Sequence, residues 1–222
     1  MLQSSDLQFL MDLKLNNNKP WFDAHRKEYE AARNNFTKFI QQVIDGFAKK
    51  EPSISHLVAK DCMFRINRDV RFSKDKSPYK TNMGAYINGD GKKAVSAGYY
   101  FHFEPGNSFM GGGIWMPMPQ ELNKVRQEID YNLAGFEKII TSKKFKEVYG
   151  GLSAEKEYQL TRVPKGYAAD NPAEKYLKYK CFVATAPVGD AQLTSRQLVA
   201  NTIKGYEALK PLIGFLNEAI IS

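Results

Sequence analysis

The chain has 222 residues, 43% of them hydrophobic and 25% charged, which is ordinary for a soluble globular protein and sufficient for a sizeable core. No apolar run is long enough to cross a bilayer, and the first residues lack the basic start of a secretory signal, so we expect a cytoplasmic protein that does not enter the membrane. The net charge of +8 favours an anionic partner.

The cysteines and histidines are too few and too scattered to predict a metal site. Cys62 and Cys181 have no C-x-x-C spacing, and His25, His56 and His102 lie far apart in the sequence. We therefore expect two buried thiols rather than a disulfide, with no metal and no cofactor.

Helical patterns open the chain. Residues 4–6 offer an N-cap for a short amphipathic helix that should end near residues 16–18. Asn18 then caps a second, long helix with Pro20 in its first turn, and apolar residues recur every three or four positions until Pro52 stops it.

A block of predicted strands follows. Over residues 64–72, Phe64, Ile66, Val70 and Phe72 alternate with polar side chains, and Arg68 falls among the inward positions. Further strands are expected over residues 79–88, 94–104 and 109–116, separated by Asn-Gly, Asp-Gly and Pro-Gly turn signals.

The last strand of that block contains three consecutive glycines, at positions 111–113. Glycine weakens a strand, so we expect either a bulky neighbour across the sheet or a ligand to approach this backbone closely.

Helical spacing returns over residues 120–133 and continues in shorter pieces to Gly150-Gly151, and a short helix is predicted from 171 to 177. A strand should cover residues 178–184, and Thr194 or Ser195 caps a closing helix that Pro211 should kink or split. This order predicts a single α+β domain over residues 1–222, in which a central antiparallel sheet is covered by helices, including long ones near both ends.

The positive charge is concentrated between residues 60 and 93, where nine lysines and arginines face four aspartates. Arginine offers a planar fork and lysine a point charge, so the mixture fits a small phosphorylated or carboxylated ligand. The predicted ligand-binding residues are Arg65, Arg68, Arg71, Lys74, Lys76, Tyr79 and Lys80. Asp69 and Asp75, with Glu104 from a nearby predicted strand, can instead satisfy these cations in an internal ion-pair scaffold, and the sequence does not separate the two interpretations.

The candidate catalytic residues are Asp69, His102 and Glu104. His102 and Glu104 are two residues apart on a predicted strand and therefore share a face, where they can relay a proton or help to hold a divalent ion beside Arg68. A cross-strand ion pair between that face and the basic strand is the favoured alternative.

The alternative to a small-ligand site is a non-enzymatic binding module for nucleic acid or an acidic protein, since basic residues interleaved with aromatic ones also fit single-stranded nucleic acid. We expect these aromatic side chains to point into the core, because the outward positions of the basic strand are charged, so nucleic acid is possible but not favoured. No Walker loop, serine elbow or G-x-G-x-x-G motif is present, which excludes most familiar enzyme classes. The sequence does not predict the oligomeric state.

Residues 64–81 read FRINRDVRFSKDKSPYKT. This stretch resembles the motif FRI-x-RD-x-RFS-x-DK-x-PYKT of a conserved hypothetical family of bacterial and fungal proteins, catalogued as domain of unknown function 2461. The likeness extends to Asn17-Asn18, Trp21-Phe22, Gly98-Tyr99-Tyr100 and Pro164-Lys165-Gly166-Tyr167. It implies that residues 153–170, which show no clear period, belong to the same domain, and it implies no reaction. Asn67 departs from the family pattern, in which a bulkier residue is expected.

Overall fold

The computed structural model describes residues 2–221, which form ten α-helices and four β-strands. The helices are α1 (Ser4–Leu15), α2 (Lys19–Ala24), α3 (Arg26–Phe47), α4 (Ala59–Cys62), α5 (Pro119–Tyr131), α6 (Leu133–Ile140), α7 (Lys143–Tyr149), α8 (Glu174–Leu177), α9 (Asp190–Leu193) and α10 (Leu198–Ile221). The strands are β1 (Met83–Ile87), β2 (Gly98–Phe103), β3 (Phe109–Ile114) and β4 (Phe182–Pro187).

The four strands form one antiparallel sheet in the order β1-β2-β3-β4, so the predicted α+β class is confirmed. Each strand pairs with its neighbour in the sequence: loops join β1 to β2 and β2 to β3, whereas residues 115–181, which include α5 to α8, connect β3 to β4. No helix in the described part of the chain is long and apolar enough to span a membrane.

The chain divides into two compact units. The first comprises Met1–Lys92, Tyr100–Met110 and Pro187–Lys204, and the second comprises Lys93–Tyr99, Gly111–Ala186 and Gly205–Ser222. The single-domain organisation stays a prediction.

In the first unit, the apolar face of α3 packs on β2. Phe39 meets Phe101 edge-on with ring centroids 4.7 Å apart, and Phe36 stacks on Phe103 at 5.8 Å. All four rings are fully buried. Burying a large aromatic ring contributes on the order of 2–3 kcal/mol, so these contacts hold the helix on the strand.

The other face of β2 carries polar side chains. Successive residues of a strand point to opposite faces, so Tyr100 and His102 point away from α3, and Glu104, the residue after the strand, contacts His102 on the same side. The alternation that was visible in the sequence therefore sorts this strand into a core face and a polar face.

In the second unit, the triple glycine allows close approach between neighbouring strands. A Cβ on Gly111 would overlap the carbonyl oxygen of Ala184, and one on Gly113 would overlap that of Phe182. Gly113 also has φ +126°, where L side chains are rare. The expected close contact is confirmed, and the neighbour at Gly113 is the protein's own backbone.

Two details of the predicted elements are wrong, and a third is narrowed. The long second helix is interrupted at His25, whose imidazole stacks on Trp21 at 4.0 Å. The connection after β1 is a longer loop from Asn88 to Ala97, rather than a two-residue turn. Pro211 lies inside α10 and does not split it, since residues 198–221 stay helical, and the kink expected as the alternative stays a prediction.

Candidate functional site

The basic segment, residues 64–81, is an irregular ribbon and not the predicted strand. Its two sides meet through an antiparallel bridge between Asn67 and Tyr79, and through the Lys80 N–H, which donates to the Ile66 carbonyl at 2.8 Å. Isolated bridges do not form a sheet with one buried face, so the alternation of apolar and polar residues does not determine which side chains are buried in this segment. The Phe72 side chain, expected inside, is 95% exposed at the tip of the ribbon.

Asn17 and Phe22 fix the returning side of this ribbon. The Asn17 amide accepts from the Tyr79 N–H at 3.1 Å and donates to the Tyr79 carbonyl at 2.9 Å, much as a neighbouring strand would. The Phe22 ring stacks on the Tyr79 ring at 3.9 Å. The Tyr79 ring is therefore buried in the protein interior, and its part in ligand binding stays a prediction.

At the tip, Arg68 is engaged inside the segment. Its Nη1 donates to the Asp75 carboxylate and to the Ser77 carbonyl at 3.1 Å. Asp75 also accepts from the Ser77 hydroxyl at 2.6 Å and the Ser77 N–H at 2.9 Å. The Ser77 bonds first, then Arg68, lower the pKa of Asp75 to about 2.

A second ion pair joins Arg71 and Asp69. The guanidinium binds the carboxylate through two hydrogen bonds of 3.0 and 2.7 Å, and the arginine lowers the pKa of Asp69. Lys76 donates to the Val70 carbonyl at 3.0 Å. Each exposed ion pair contributes little to the free energy of unfolding. The two pairs nevertheless match the ion-pair interpretation, in which Asp69 and Asp75 neutralise cations of this segment. An acid–base role for Asp69 stays a prediction.

Four of the predicted ligand-binding cations have no acidic partner in the described part of the chain. Lys76 binds a backbone carbonyl rather than an acid. Arg65, Lys74 and Lys80 form no ion pair with any Asp or Glu among residues 2–221. Lys80 is half-buried, and its ammonium lies 5.5 Å above the Phe64 ring. Burial first, and then the positive charge of Arg65, lower the pKa of Lys80. Lys80 therefore lies over an aromatic ring and is within the electrostatic influence of Arg65, and neither cation has an acidic partner within the residues that the structure describes.

The polar face of β2 holds a chain of three hydrogen-bonded side chains. The Tyr100 hydroxyl lies 3.1 Å from His102 Nδ1, and His102 Nε2 lies 3.2 Å from Glu104 Oε2. The imidazole stacks on the Phe109 ring at 4.7 Å, which fixes its plane. This arrangement, in which a hydroxyl, a base and an orienting carboxylate follow one another, is the one that acid–base catalysis uses.

Glu104 is held by groups other than the basic segment's cations. Its carboxylate accepts from Asn107 at 3.0 Å and from Thr81 at 3.2 Å, and no lysine or arginine in the described residues pairs with it. The favoured cross-strand ion pair was therefore wrong. Burial opposes the charge of Glu104, but the hydrogen bonds from Asn107, His102 and Thr81 together lower its pKa.

The protonation states follow from these environments. Burial, and then the charge of Glu104, raise the pKa of Tyr100 to about 12, so its hydroxyl keeps its proton at neutral pH. A neutral His102 that accepts from Tyr100 at Nδ1 carries its proton on Nε2 and donates it to Glu104.

The unpaired cations and this chain are adjacent. The Phe64 ring, which lies under Lys80, also contacts the Tyr100 ring at 6.3 Å. Thr81, the residue after Lys80, donates to Glu104 at 3.2 Å. We name this group the Lys80 site, and its members are Arg65, Lys80, Tyr100, His102 and Glu104.

Tyr100 is the member of the Lys80 site that the sequence interpretation missed. Its signal was the spacing Tyr-x-His-x-Glu, which places three polar side chains on one face of a strand. Arg68 and Arg71, which were expected beside His102 and Glu104, are instead engaged by Asp75 and Asp69.

Metal-ligating groups do not cluster in the described residues. Among residues 2–221, no group of three or more His, Cys, Asp or Glu side chains is arranged to hold a metal ion. Cys62 and Cys181 are both buried free thiols, as predicted. Burial first, and then Asp61, raise the pKa of Cys62 to about 11, so this thiol is uncharged at neutral pH.

Comparison with known proteins identifies a family. A family model described as "Conserved hypothetical protein (DUF2461)" matches residues 5–215. No curated protein and no solved structure matches the chain.

Proposed function

The chain belongs to the conserved hypothetical family DUF2461, and we propose that it binds a small phosphorylated or carboxylated metabolite at the Lys80 site. The observation that carries the proposal is the pair of unpaired cations, Arg65 and Lys80, beside the hydrogen-bonded chain that ends at Tyr100.

The two cations favour an anionic ligand for an electrostatic reason. Lys80 is half-buried, and its charged form is disfavoured both by the loss of hydration and by the like charge of Arg65. An oxyanion that bridges the two side chains removes both penalties. The guanidinium supplies a planar fork and the ammonium a point charge, a combination suited to phosphate and carboxylate groups.

The adjacent chain of side chains supplies acid–base chemistry in the same proposal. As a substrate hydroxyl gives its proton to the Tyr100 oxygen, the Tyr100 proton moves to His102 Nδ1, and Glu104 stabilises the resulting imidazolium. The protons return along the same path when the product needs one. Lys80 and Arg65 stabilise the negative charge that remains on the substrate.

Thermal unfolding with added anions tests the binding step. Inorganic phosphate and citrate should raise the Tm of the wild type above its value in sodium chloride of equal ionic strength. At an anion concentration of about 100 times Kd, the stabilisation is about 2.7 kcal/mol, or a shift of about 5–11 °C for a chain of this size.

Two charge-removing variants make the test specific. Lys80→Met should lose the shift, whereas Lys60→Met, which removes one exposed cation from the same unit, should keep it. A wild type that no oxyanion stabilises, or a Lys80→Met variant that responds like Lys60→Met, contradicts the proposal.

A second candidate function follows from the tip of the basic segment. The outward aromatic side chain argues for single-stranded nucleic acid: the exposed Phe72 ring has the Arg71 guanidinium 5.8 Å from its centroid. The earlier reason for disfavouring nucleic acid was that such rings point inward, and Phe72 does not. A base stacked on this ring would gain about 1–3 kcal/mol.

Fluorescence anisotropy with a labelled single-stranded oligonucleotide at low salt tests this candidate. Phe72→Ala should weaken binding by about 5–150-fold, which is the same 1–3 kcal/mol. Tyr131→Ala removes another highly exposed ring and should leave affinity unchanged. Equal affinities of the two variants, or no binding at low salt, rule out stacking on Phe72.

A further inference from the structure

Arg126 occupies an apolar position of helix α5. Val125 and Ile129, its neighbours on that helix, are fully buried, and Arg126 itself is only 5% exposed. Arginine is almost never buried to this extent unless an anion or a set of acceptors satisfies it. Arg126 therefore needs an anion or several hydrogen-bond acceptors around its guanidinium.

One acceptor is found for this guanidinium among the described residues. Its Nη2 donates to the Tyr179 carbonyl at 2.9 Å, whereas Nε is buried without a hydrogen-bond partner. A guanidinium carries five N–H donors, and the Nε donor is the one that is buried without an acceptor among the described residues. Burial lowers the pKa of Arg126, although an arginine stays charged near neutral pH.

The acids on the same helix do not neutralise Arg126. Asp130, one turn later, is exposed and accepts from Asn171 Nδ2 at 2.6 Å. Glu121 is five residues earlier, which places it on a different side of the helix, and its Oε2 is itself buried without a partner. No Asp or Glu in the described residues forms an ion pair with Arg126.

We propose that Arg126 binds the carboxylate group of a small molecule in the second unit. A carboxylate matches both the fork geometry and the single charge of one guanidinium, whereas a phosphate dianion would leave one buried negative charge uncompensated. Burial, and then the charge of Asp130, raise the pKa of Tyr167, whereas the charge of Arg126 lowers it, so Tyr167 is electrostatically coupled to both residues. None of these residues belongs to the Lys80 site, so this proposal goes beyond the function proposed above.

Urea unfolding in matched salts tests the proposal. The Lys80→Met variant removes the other proposed anion site, so the salts are compared in that background. There, sodium acetate should raise the unfolding midpoint relative to sodium chloride of equal ionic strength, and inorganic phosphate should raise it less. Adding Arg126→Met should abolish the acetate response. In chloride, this double variant should be at least as stable as Lys80→Met, because a buried unpaired charge has been replaced by a side chain of similar length.

Two further substitutions in the same background keep the test decisive. Arg162→Met removes an exposed arginine of the same unit and should leave the acetate response unchanged. Arg126→Lys retains the charge without the planar fork and should bind acetate at least tenfold more weakly, which covers the case in which Arg126→Met does not fold. Because this background lacks Lys80, its acetate response does not depend on the Lys80 site, so failure of that site and failure of this proposal are distinguishable.

The contradicting results are equally definite. The proposal is overturned if acetate stabilises Lys80→Met no more than the double variant, if Arg126→Lys leaves the affinity for acetate unchanged, or if phosphate acts through Arg126 more strongly than acetate. An Asp130→Asn variant that loses the acetate response together with stability would assign Arg126 to Asp130 as an internal partner, and would overturn it too.

Discussion

Asn17 holds the basic segment in place through two hydrogen bonds, and replacing it with alanine removes both. The Tyr79 N–H and carbonyl take no part in the hydrogen bonds between the two sides of the ribbon, which run from Lys80 to Ile66 and from Arg68 to Pro78. They depend on the Asn17 amide instead, at 3.1 and 2.9 Å.

The expected loss follows from the usual net worth of such bonds. At about 0.5–1.5 kcal/mol each, the two bonds contribute about 1–3 kcal/mol to the free energy of unfolding. For a chain of 150–250 residues, each kcal/mol shifts Tm by about 2–4 °C, so Asn17→Ala should lower Tm by about 2–12 °C. Because Lys80 follows Tyr79, the variant should also weaken anion binding at the Lys80 site.

Circular dichroism during heating measures this loss, and the chain supplies a matched control. Asn16 is adjacent and of the same type, but its exposed side chain donates only to the Asp12 carbonyl, at 3.0 Å. Asn16→Ala should change stability by less than about 0.5 kcal/mol. If the two variants lower Tm equally, Asn17 does not hold the ribbon, and the reasoning is refuted.

Two further variants test other parts of the structure. Gly113→Ala should lower the free energy of unfolding, measured in urea, by about 1–3 kcal/mol, because φ is +126° and a Cβ would overlap the Phe182 carbonyl oxygen. The control is Gly151→Ala, whose Cβ meets open space. Equal losses in the two variants would contradict the close approach of the strands. Asp75→Asn should make the free energy of unfolding fall less steeply as the pH is lowered from 5 to 2. The folded state lowers the pKa of Asp75 to about 2, so its contribution to stability is complete above its ordinary pKa near 3.9 and is lost as pH falls towards 2. Urea midpoints measured between pH 5 and 2 check this, and an unchanged pH dependence would argue against the Arg68 and Ser77 contacts of Asp75.

The polar face of β2 could be predicted from the sequence because it depends on local periodicity. Residues two apart on a strand share a face whatever surrounds them, so His102 and Glu104 were correctly placed together. The same rule placed Tyr100 with them, although a tyrosine in a strand is usually a packing residue. Its role became apparent only with the 3.1 Å contact to His102.

The basic segment could not be predicted in the same way, because its burial depends on distant residues. Alternation over residues 64–72 suggested a half-buried strand, yet the ribbon is positioned by Asn17, sixty-two residues before Tyr79. Nothing in the local sequence indicates that contact. For Arg126, the sequence shows that the residue stands at an apolar position of a helix. It does not show that the guanidinium is buried, because a long arginine side chain usually reaches solvent from such a position.

The central claim is that an anion binds beside the hydrogen-bonded chain of Tyr100, His102 and Glu104. The chain has only three histidines, so side-chain nitrogen NMR of protein labelled with 15N-histidine reports on this site directly. His25→Gln and His56→Gln assign the other two signals.

Titration with inorganic phosphate should shift the His102 ring nitrogens saturably and leave those of His25 and His56 in place, and Lys80→Met should abolish the shift. Equal, non-saturating shifts at all three histidines, or an unchanged response in Lys80→Met, would contradict the account.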